Sequence, residues 1–272
     1  MHPLEMQRIT KSYPSGWRRT PVAVLRGIDL TLAAGECFGF LGANGAGKTT
    51  TLKILVGLLR PTGGEARLWG VPVWQAESRR RVGFLPEEPS LPLRLSPREF
   101  LDYGGRLAGV PARERRRRAE ELIERLGLTS FAGAPLRRLS KGQRQRAALA
   151  QSLVGDPDLL LLDEPLTGLD APGRRDVIDL LGELRTRGTT IFFSSHVLPD
   201  VERLCDRVGV LGQGLLLAVG SPRAVAAEQG LPGASLEDVF LQIVCGDRQG
   251  TPERSSPAPR REAETPRELV GV

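Results

Sequence analysis

Eight residues constrain this chain more than any others: Gly42-Ala43-Asn44-Gly45-Ala46-Gly47-Lys48-Thr49. They lie between a compact apolar run, Cys37–Leu41, and a segment of helical character, Thr50–Leu59. A glycine-rich turn in that strand-to-helix position lets the backbone wrap tightly. Several N–H groups then converge on one anion, and the helix N-terminus adds its dipole. In such a loop Lys48 reaches the β- and γ-phosphates of a nucleotide, Thr49 holds Mg²⁺, and Thr50 continues the phosphate-facing turn. A plain Gly-rich turn is the competing reading. The presence of all four fixed positions in the right strand–helix context weighs heavily against it.

The rest of the chain has to supply a sheet for that turn. Leu159–Leu162 is a run of four leucines after the turn Asp156-Pro157-Asp158, and Thr189–Ser194 is β-branched and aromatic after Arg187-Gly188. Near-continuous apolar runs suit strands covered on both faces, as in a parallel sheet flanked by helices. Leu4–Thr10, Ala23–Leu32 and Ala66–Val73 alternate instead, which predicts an antiparallel subdomain. Pro97–Val154 is rich in Arg, Glu and Leu with helical periodicity, which predicts an inserted helical subdomain over about 90–154. The expected class is α/β, in one ATP-binding-type domain over 1–223. A short docking helix is expected within 224–245, where Leu236, Val239, Phe240 and Ile243 share helical spacing. Pro-rich 246–272, with balanced charge, reads as a disordered tail.

Two further clusters carry chemistry. Asp163-Glu164-Pro165 ends the four-leucine strand, and paired carboxylates there are costly unless a cation or proton transfer uses them. Beside a phosphate loop, Asp163 would hold the Mg²⁺ shell through water and Glu164 would polarise the attacking water. His196 follows Ser194-Ser195 at the carboxyl end of a third strand, the edge where open parallel sheets gather ligand sites. Its structural reading is a lone histidine, and its functional reading a γ-phosphate contact. Leu139-Ser140-Lys141-Gly142-Gln143 precedes a helix over Arg144–Leu153. On local grounds a simple N-cap is the better reading there, with an anion site at the helix start as the alternative.

Composition excludes other classes. With 38 Lys plus Arg against 32 Asp plus Glu the net charge is +6, but only Lys11, Lys48, Lys53 and Lys141 are lysines. That arginine skew is weak grounds for a nucleic-acid surface. Arg113–Arg118 and Arg79-Arg80-Arg81 read as solvated faces, with anionic lipid as the alternative. No apolar run approaches the roughly 18 residues of a spanning helix, and Met1–Thr10 lacks the pattern of a secretion signal. The three cysteines, Cys37, Cys205 and Cys245, have neither disulfide-framework nor metal-ligand spacing and read as small buried hydrophobes.

Taken together, these motifs resemble the nucleotide-binding subunit of ATP-binding cassette (ABC) transporters over roughly Leu4–Val219. Gly42–Thr49 matches Walker A, Leu161–Glu164 Walker B with its catalytic glutamate, and Leu139–Gln143 the signature. Gly168-Leu169-Asp170 matches the D-loop, His196 the switch histidine, and Tyr13 the aromatic that stacks on adenine. The resemblance implies a P-loop NTPase core that binds ATP and Mg²⁺ and hydrolyses ATP. It implies a head-to-tail dimer in which Ser140, Lys141, Gly142, Gln143 and Asp170 of one copy close over the nucleotide of the other. It also implies separate transmembrane permease subunits, a place on the cytoplasmic side of the membrane, and no specific nucleic acid.

Two departures stand out. Val82-Gly83-Phe84-Leu85-Pro86-Glu87-Glu88 puts Glu87 at the Q-loop glutamine, either as a metal ligand or as a contact to a coupling helix. Lys141 replaces the usual signature glycine, pointing either toward the opposing γ-phosphate or to solvent. Together with Leu236-Glu237-Asp238-Val239-Phe240, they resemble the exporter branch for drugs, polysaccharides and ions. A soluble ABC-type ATPase acting on nucleic acid or ribosomes, and an import ATPase, are the alternatives. A small-molecule kinase fits poorly beside Asp163-Glu164.

Overall fold

The computed structural model describes residues 1–14 and 21–249, with side chains through residue 244. Strands β1 (Leu4–Pro14) and β2 (Pro21–Leu32) pair antiparallel, and β3 (Cys37–Gly42) leads through the glycine-rich loop into α1 (Lys48–Leu55). Next come β4 (Gly63–Leu68), β5 (Val71–Pro72) and β6 (Val82–Leu85), then three helices, α2 (Pro97–Leu107), α3 (Ala112–Arg125) and α4 (Lys141–Leu153). Strand β7 (Leu159–Asp163), α5 (Ala171–Thr186), β8 (Thr190–Ser195) and α6 (Leu198–Leu204) follow. The hairpin β9 (Arg207–Gly212) and β10 (Leu215–Gly220) then precedes α7 (Pro222–Glu228) and α8 (Leu236–Gln249). One sheet is antiparallel in the order β2-β1-β4-β5. The other runs β10-β9-β3-β8-β7-β6, parallel from β9 through β6 with β10 antiparallel at its edge.

The period of two in the central strands divides the interior into two cores. Phe38, Phe40, Leu159, Leu161 and Phe192 face the antiparallel sheet and α1, with Phe38 and Phe192 stacked at 5.6 Å. Cys37, Leu41, Leu160, Leu162, Ile191 and Phe193 face the helices on the other side. Both faces of each strand are therefore dry, which is why these runs are continuously apolar. Helix α1 stops short of Leu59: Gly57 takes φ +70 and its N–H bonds the Ile54 carbonyl, a left-handed glycine ending. Helix α4 starts three residues before Arg144, inside the Ser-Lys-Gly-Gln segment.

The helical insertion is held by local charge. A capping box links Ser96 and Glu99 at the start of α2. Arg98 grips Glu120 through two hydrogen bonds of 2.5 and 3.0 Å, and Arg115 donates to Asp102. Within the arginine run, Arg117 and Arg118 both bond Glu114, whose carboxyl is held down at about 2 by those hydrogen bonds. Helical spacing of three and four residues makes such pairs, so Arg117 and Arg118 are neutralised within their own helix while Arg115 is neutralised by α2. In the other basic turn, Arg79 bonds the Val73 carbonyl, while Arg81 pairs with Asp158 and lies over the Trp69 ring. Both are the solvated-face arrangement.

Helix α8 buries Leu236, Val239 and Ile243 against α6, α7 and β9. The tail expected over 246–272 overlaps its last turn, and 250–272 lie outside the described residues. Cys37 and Cys205 are buried with Sγ atoms 3.8 Å apart, and burial pushes the Cys205 thiol well above its ordinary value.

Helix α4 reaches the sheet across Gly83 in β6, where an added Cβ would fall 2.3 Å from the Ser152 carbonyl oxygen. Backbone cannot yield there as a side chain end would. Gly83→Ala is expected to cost about 1–3 kcal/mol, measured as a thermal midpoint several degrees lower.

Candidate functional site

At the carboxyl edge of the parallel strands the chain forms a cleft of about 400 Å³, lined by Val24, Ala43, Asn44, Gly45, Gly47, Lys48, Thr49, Thr50, Glu87 and Glu164. Three adjacent strands end at this edge: β3 leads into the loop, β7 carries Asp163 and leads to Glu164, and β8 between them leads to His196. The loop needs glycine at three places, Gly45 among them for its φ of +82. Gly47 has φ +115, a region L side chains avoid, and an added Cβ would meet Leu25 at 2.6 Å. At Gly42 a Cβ would lie 2.7 Å from the Leu211 carbonyl oxygen in β9. Gly45 is different: no atom lies within 4 Å of an added Cβ, so its side of the loop opens outward.

Lys48 is buried, and its Nζ donates to the Gly42 carbonyl at 2.7 Å and lies 3.5 Å from Glu164 Oε1. Glu164 in turn meets His196 Nδ1 through Oε2 at 2.7 Å. With the carboxylate ionised, Nδ1–H is the donor, which leaves Nε2 free to face a ligand. Asp163 is almost fully buried, and Ser194 Oγ donates to its Oδ1 at 2.6 Å. Glu164 itself adopts φ +49, a left-handed conformation that costs a non-glycine residue about 1–2 kcal/mol.

The donor set fits a nucleotide phosphate. Among the described residues, the N–H groups of Gly45, Gly47, Lys48 and Thr49 meet no backbone acceptor, and unpaired amides at a helix start form an anion site. A hard divalent cation also fits, because Thr49, Asp163 and Glu87 offer oxygen ligands. No cluster of three or more His, Cys or acidic side chains able to hold a metal occurs among the described residues. A magnesium ion there would therefore draw the remainder of its shell from phosphate and water, as this ion usually does.

The other expected residues lie apart from this cleft. Ser140 caps α4: its Oγ accepts from Gln143 N–H, while Gln143 Oε1 accepts from Ser140 N–H. The N-cap reading is thus realised in the isolated chain, and Gly142 packs so closely on the Gly168 carbonyl that a Cβ would lie 2.8 Å away. Lys141 is exposed, its stem lying over Gly168. Asp170 caps α5 through Gly173 N–H. Tyr13 is partly exposed at the end of β1, with Lys11 Nζ 5.1 Å from its ring centre. Motif reading missed Ser194 and Val24. Ser194 left one signal, a hydroxyl directly after the apolar Ile191-Phe192-Phe193 of a buried strand, whereas nothing local marks Val24.

Residues 25–167 match the model of the family described as "ABC transporter". An uncharacterized ABC transporter ATP-binding protein of Nostoc sp. is 45% identical over 217 residues, covering 78% of this chain and 64% of the relative. The Nod factor export ATP-binding protein I of Paraburkholderia xenovorans is 40% identical over 228 residues, covering 83% of this chain and 73% of the relative. The chain spans 64% and 62% of the length of its two cyanobacterial relatives. Among solved structures, an ATP-binding subunit of an ABC transporter superposes with TM-score 0.80 at 28% identity, covering 88% of this chain and 98% of that one. A dimeric, post-hydrolysis ATP-binding cassette bound to ADP and Pi superposes at 0.74 with 26% identity, covering 80% and 98%.

Proposed function

Because this chain belongs to the ABC transporter family, as an ATP-binding subunit, we propose that it hydrolyses ATP to drive export through a separate membrane permease. The observation that carries this reading is the continuous contact Lys48–Glu164–His196 over the open side of the glycine loop. In it a phosphate-binding cation and a carboxylate base line one cleft, and an orienting imidazole bonds the carboxylate. The Nod factor export relative supports the export direction. Among the described residues no helix is long and apolar enough to cross a membrane; this reading assigns the crossing to a separate permease. In this reading the cassette occupies 1–223 at the cytoplasmic side of the membrane.

On ATP binding, Lys48 leaves the Gly42 carbonyl for the β- and γ-phosphates, and the loop amides take the remaining oxygens. A magnesium ion held by Thr49, Asp163 and Glu87 would neutralise phosphate charge. Glu164, released by Lys48, polarises the attacking water, and His196 keeps the carboxylate aimed through Nδ1; only with both ring nitrogens protonated would its Nε2 also donate to the terminal phosphoryl oxygens. General base assistance of this kind contributes about 10²–10⁴ in rate. Tyr13 stacks on the base. The Ser140–Gln143 helix tip lies outside its own cleft and carries a helix-start dipole. The reading therefore pairs two copies head to tail, with Lys141, Gly142 and Asp170 at the interface; the dimeric state of the related cassette supports pairing as such.

The test is magnesium-dependent phosphate release by the purified full chain, together with co-purification from membranes. Hydrolysis accompanied by a multi-helix permease is the expected result. Hydrolysis stimulated by DNA or RNA without any membrane partner would instead select a soluble nucleic-acid role.

A further inference from the structure

Asp163 and Glu164 are adjacent in sequence, yet their carboxylates bond different partners, so something must hold their shared peptide in place. Ser194 lies opposite Asp163 in the parallel register of β7 and β8 and is fully buried. Its Oγ donates to Asp163 Oδ1 at 2.6 Å and accepts the Glu164 backbone N–H at 3.0 Å. A hydroxyl has one proton and two acceptor positions. The two contacts therefore define its rotor, with the proton on the carboxylate and a lone pair on the amide. Glu164 N–H is the first donor beyond the end of β7, and it takes this side chain where a ladder carbonyl would otherwise serve. At that same residue the backbone turns left-handed. A left-handed glutamate persists only where its surroundings over-determine it, and Ser194 anchors both sides of the Asp163–Glu164 peptide. The neighbouring Ser195 does something else: its Oγ accepts from Val197 N–H in the turn into α6.

We infer that Ser194 is a positioning residue for hydrolysis. Its hydroxyl holds the Asp163 carboxylate and the Glu164 peptide in the relative orientation that sends one carboxylate toward the metal shell and the other toward the attacking water. It touches neither nucleotide nor metal and acts through those two residues. The inference rests on the function proposed above, and it adds a residue that the motif pattern does not contain.

Four forms of the full chain test it: unmodified, Ser194→Ala, Ser194→Thr and Ser194→Val. Ser194→Ala is expected to lower kcat about 10–100-fold, the usual cost of losing an outer-shell partner, with KM for ATP nearly unchanged and the melting midpoint lowered by a few degrees because two buried groups lose their partner. Thr and Val have the same shape and differ in the hydroxyl, so Thr should recover most of the rate and Val should not. A second readout needs no turnover. The gain in affinity for a non-hydrolysable ATP analogue on replacing EDTA with Mg²⁺ should shrink in the Ala and Val forms and persist in the Thr form. Unchanged kcat and Mg²⁺ gain in Ser194→Ala would overturn the inference. So would equal rates for Thr and Val, or losses in all three variants that track their melting midpoints. Should the unmodified chain fail to hydrolyse ATP, the functional reading falls and takes this inference with it. If it hydrolyses while the variants match it, only the inference falls.

Discussion

Glu164→Gln is expected to retain ATP binding and ATP-driven dimerisation while turnover falls by about 10²–10⁴-fold, the range a positioned general base supplies. The side chain volume is conserved, and the amide carbonyl can still accept from His196 Nδ1, now 2.7 Å from the carboxylate. What disappears is the negative charge 3.5 Å from Lys48. Losing it removes the water-polarising group and also frees Lys48 for phosphate, so affinity should hold or rise. Phosphate release against time, with gel filtration in the presence and absence of ATP, reads both effects. A variant that binds ATP normally yet remains monomeric would sink the head-to-tail arrangement. One that turns over at the unmodified rate would remove Glu164 from the chemistry.

Lys48→Ala should act at the earlier step. Lys48 is the only cation among the residues lining the cleft, facing Glu164 and sharing the space with Glu87. Its loss leaves a buried carboxylate without its ionic partner, and breaking such a pair costs about 3–5 kcal/mol. Triphosphate binding must then occur against uncompensated negative charge. ATP affinity is expected to drop by about 10²–10³-fold, at 1.4 kcal/mol per decade, and hydrolysis should be lost with it. Titration of a fluorescent ATP analogue measures this directly. Lys48→Arg should rescue little, because a planar guanidinium fork does not replace a compact ammonium reaching into a tight loop. Near-native affinity in Lys48→Ala would show that the loop amides alone hold the phosphates.

The two variants also show which parts of the site can be recognised in a linear sequence. Gly42–Thr49 is legible because glycine spacing and a lysine at a helix start encode a backbone shape, and backbone shape is local. Asp163-Glu164 is legible because carboxylates at the end of four leucines are costly without a task. The strands are legible for a related reason, since Leu159–Leu162 and Thr189–Ser194 are dry on both faces. Ser194 escapes this logic, because its role depends on which residue of β7 lies across from it, and register is a tertiary property. The left-handed backbone of Glu164 escapes it too, since no glycine or asparagine marks the position. Ser140–Gln143 is ambiguous for a third reason: a capping box satisfies the helix start by itself, so one chain in isolation carries no sign of a second task. The end of α1 is hidden in the sequence because Gly57 reads as one glycine among many until its φ is known.

Strands β3, β8 and β7 lie side by side in the interior of the six-stranded sheet, each buried along its whole length. Local opening draws on loops and termini before interior strands. Lys48, Glu164 and His196 hang from the last part of the molecule to come apart, while the α4 tip is borne by the separate helical layer. Fraying at the periphery can therefore weaken how one copy engages another long before it disorders the groups that handle phosphate.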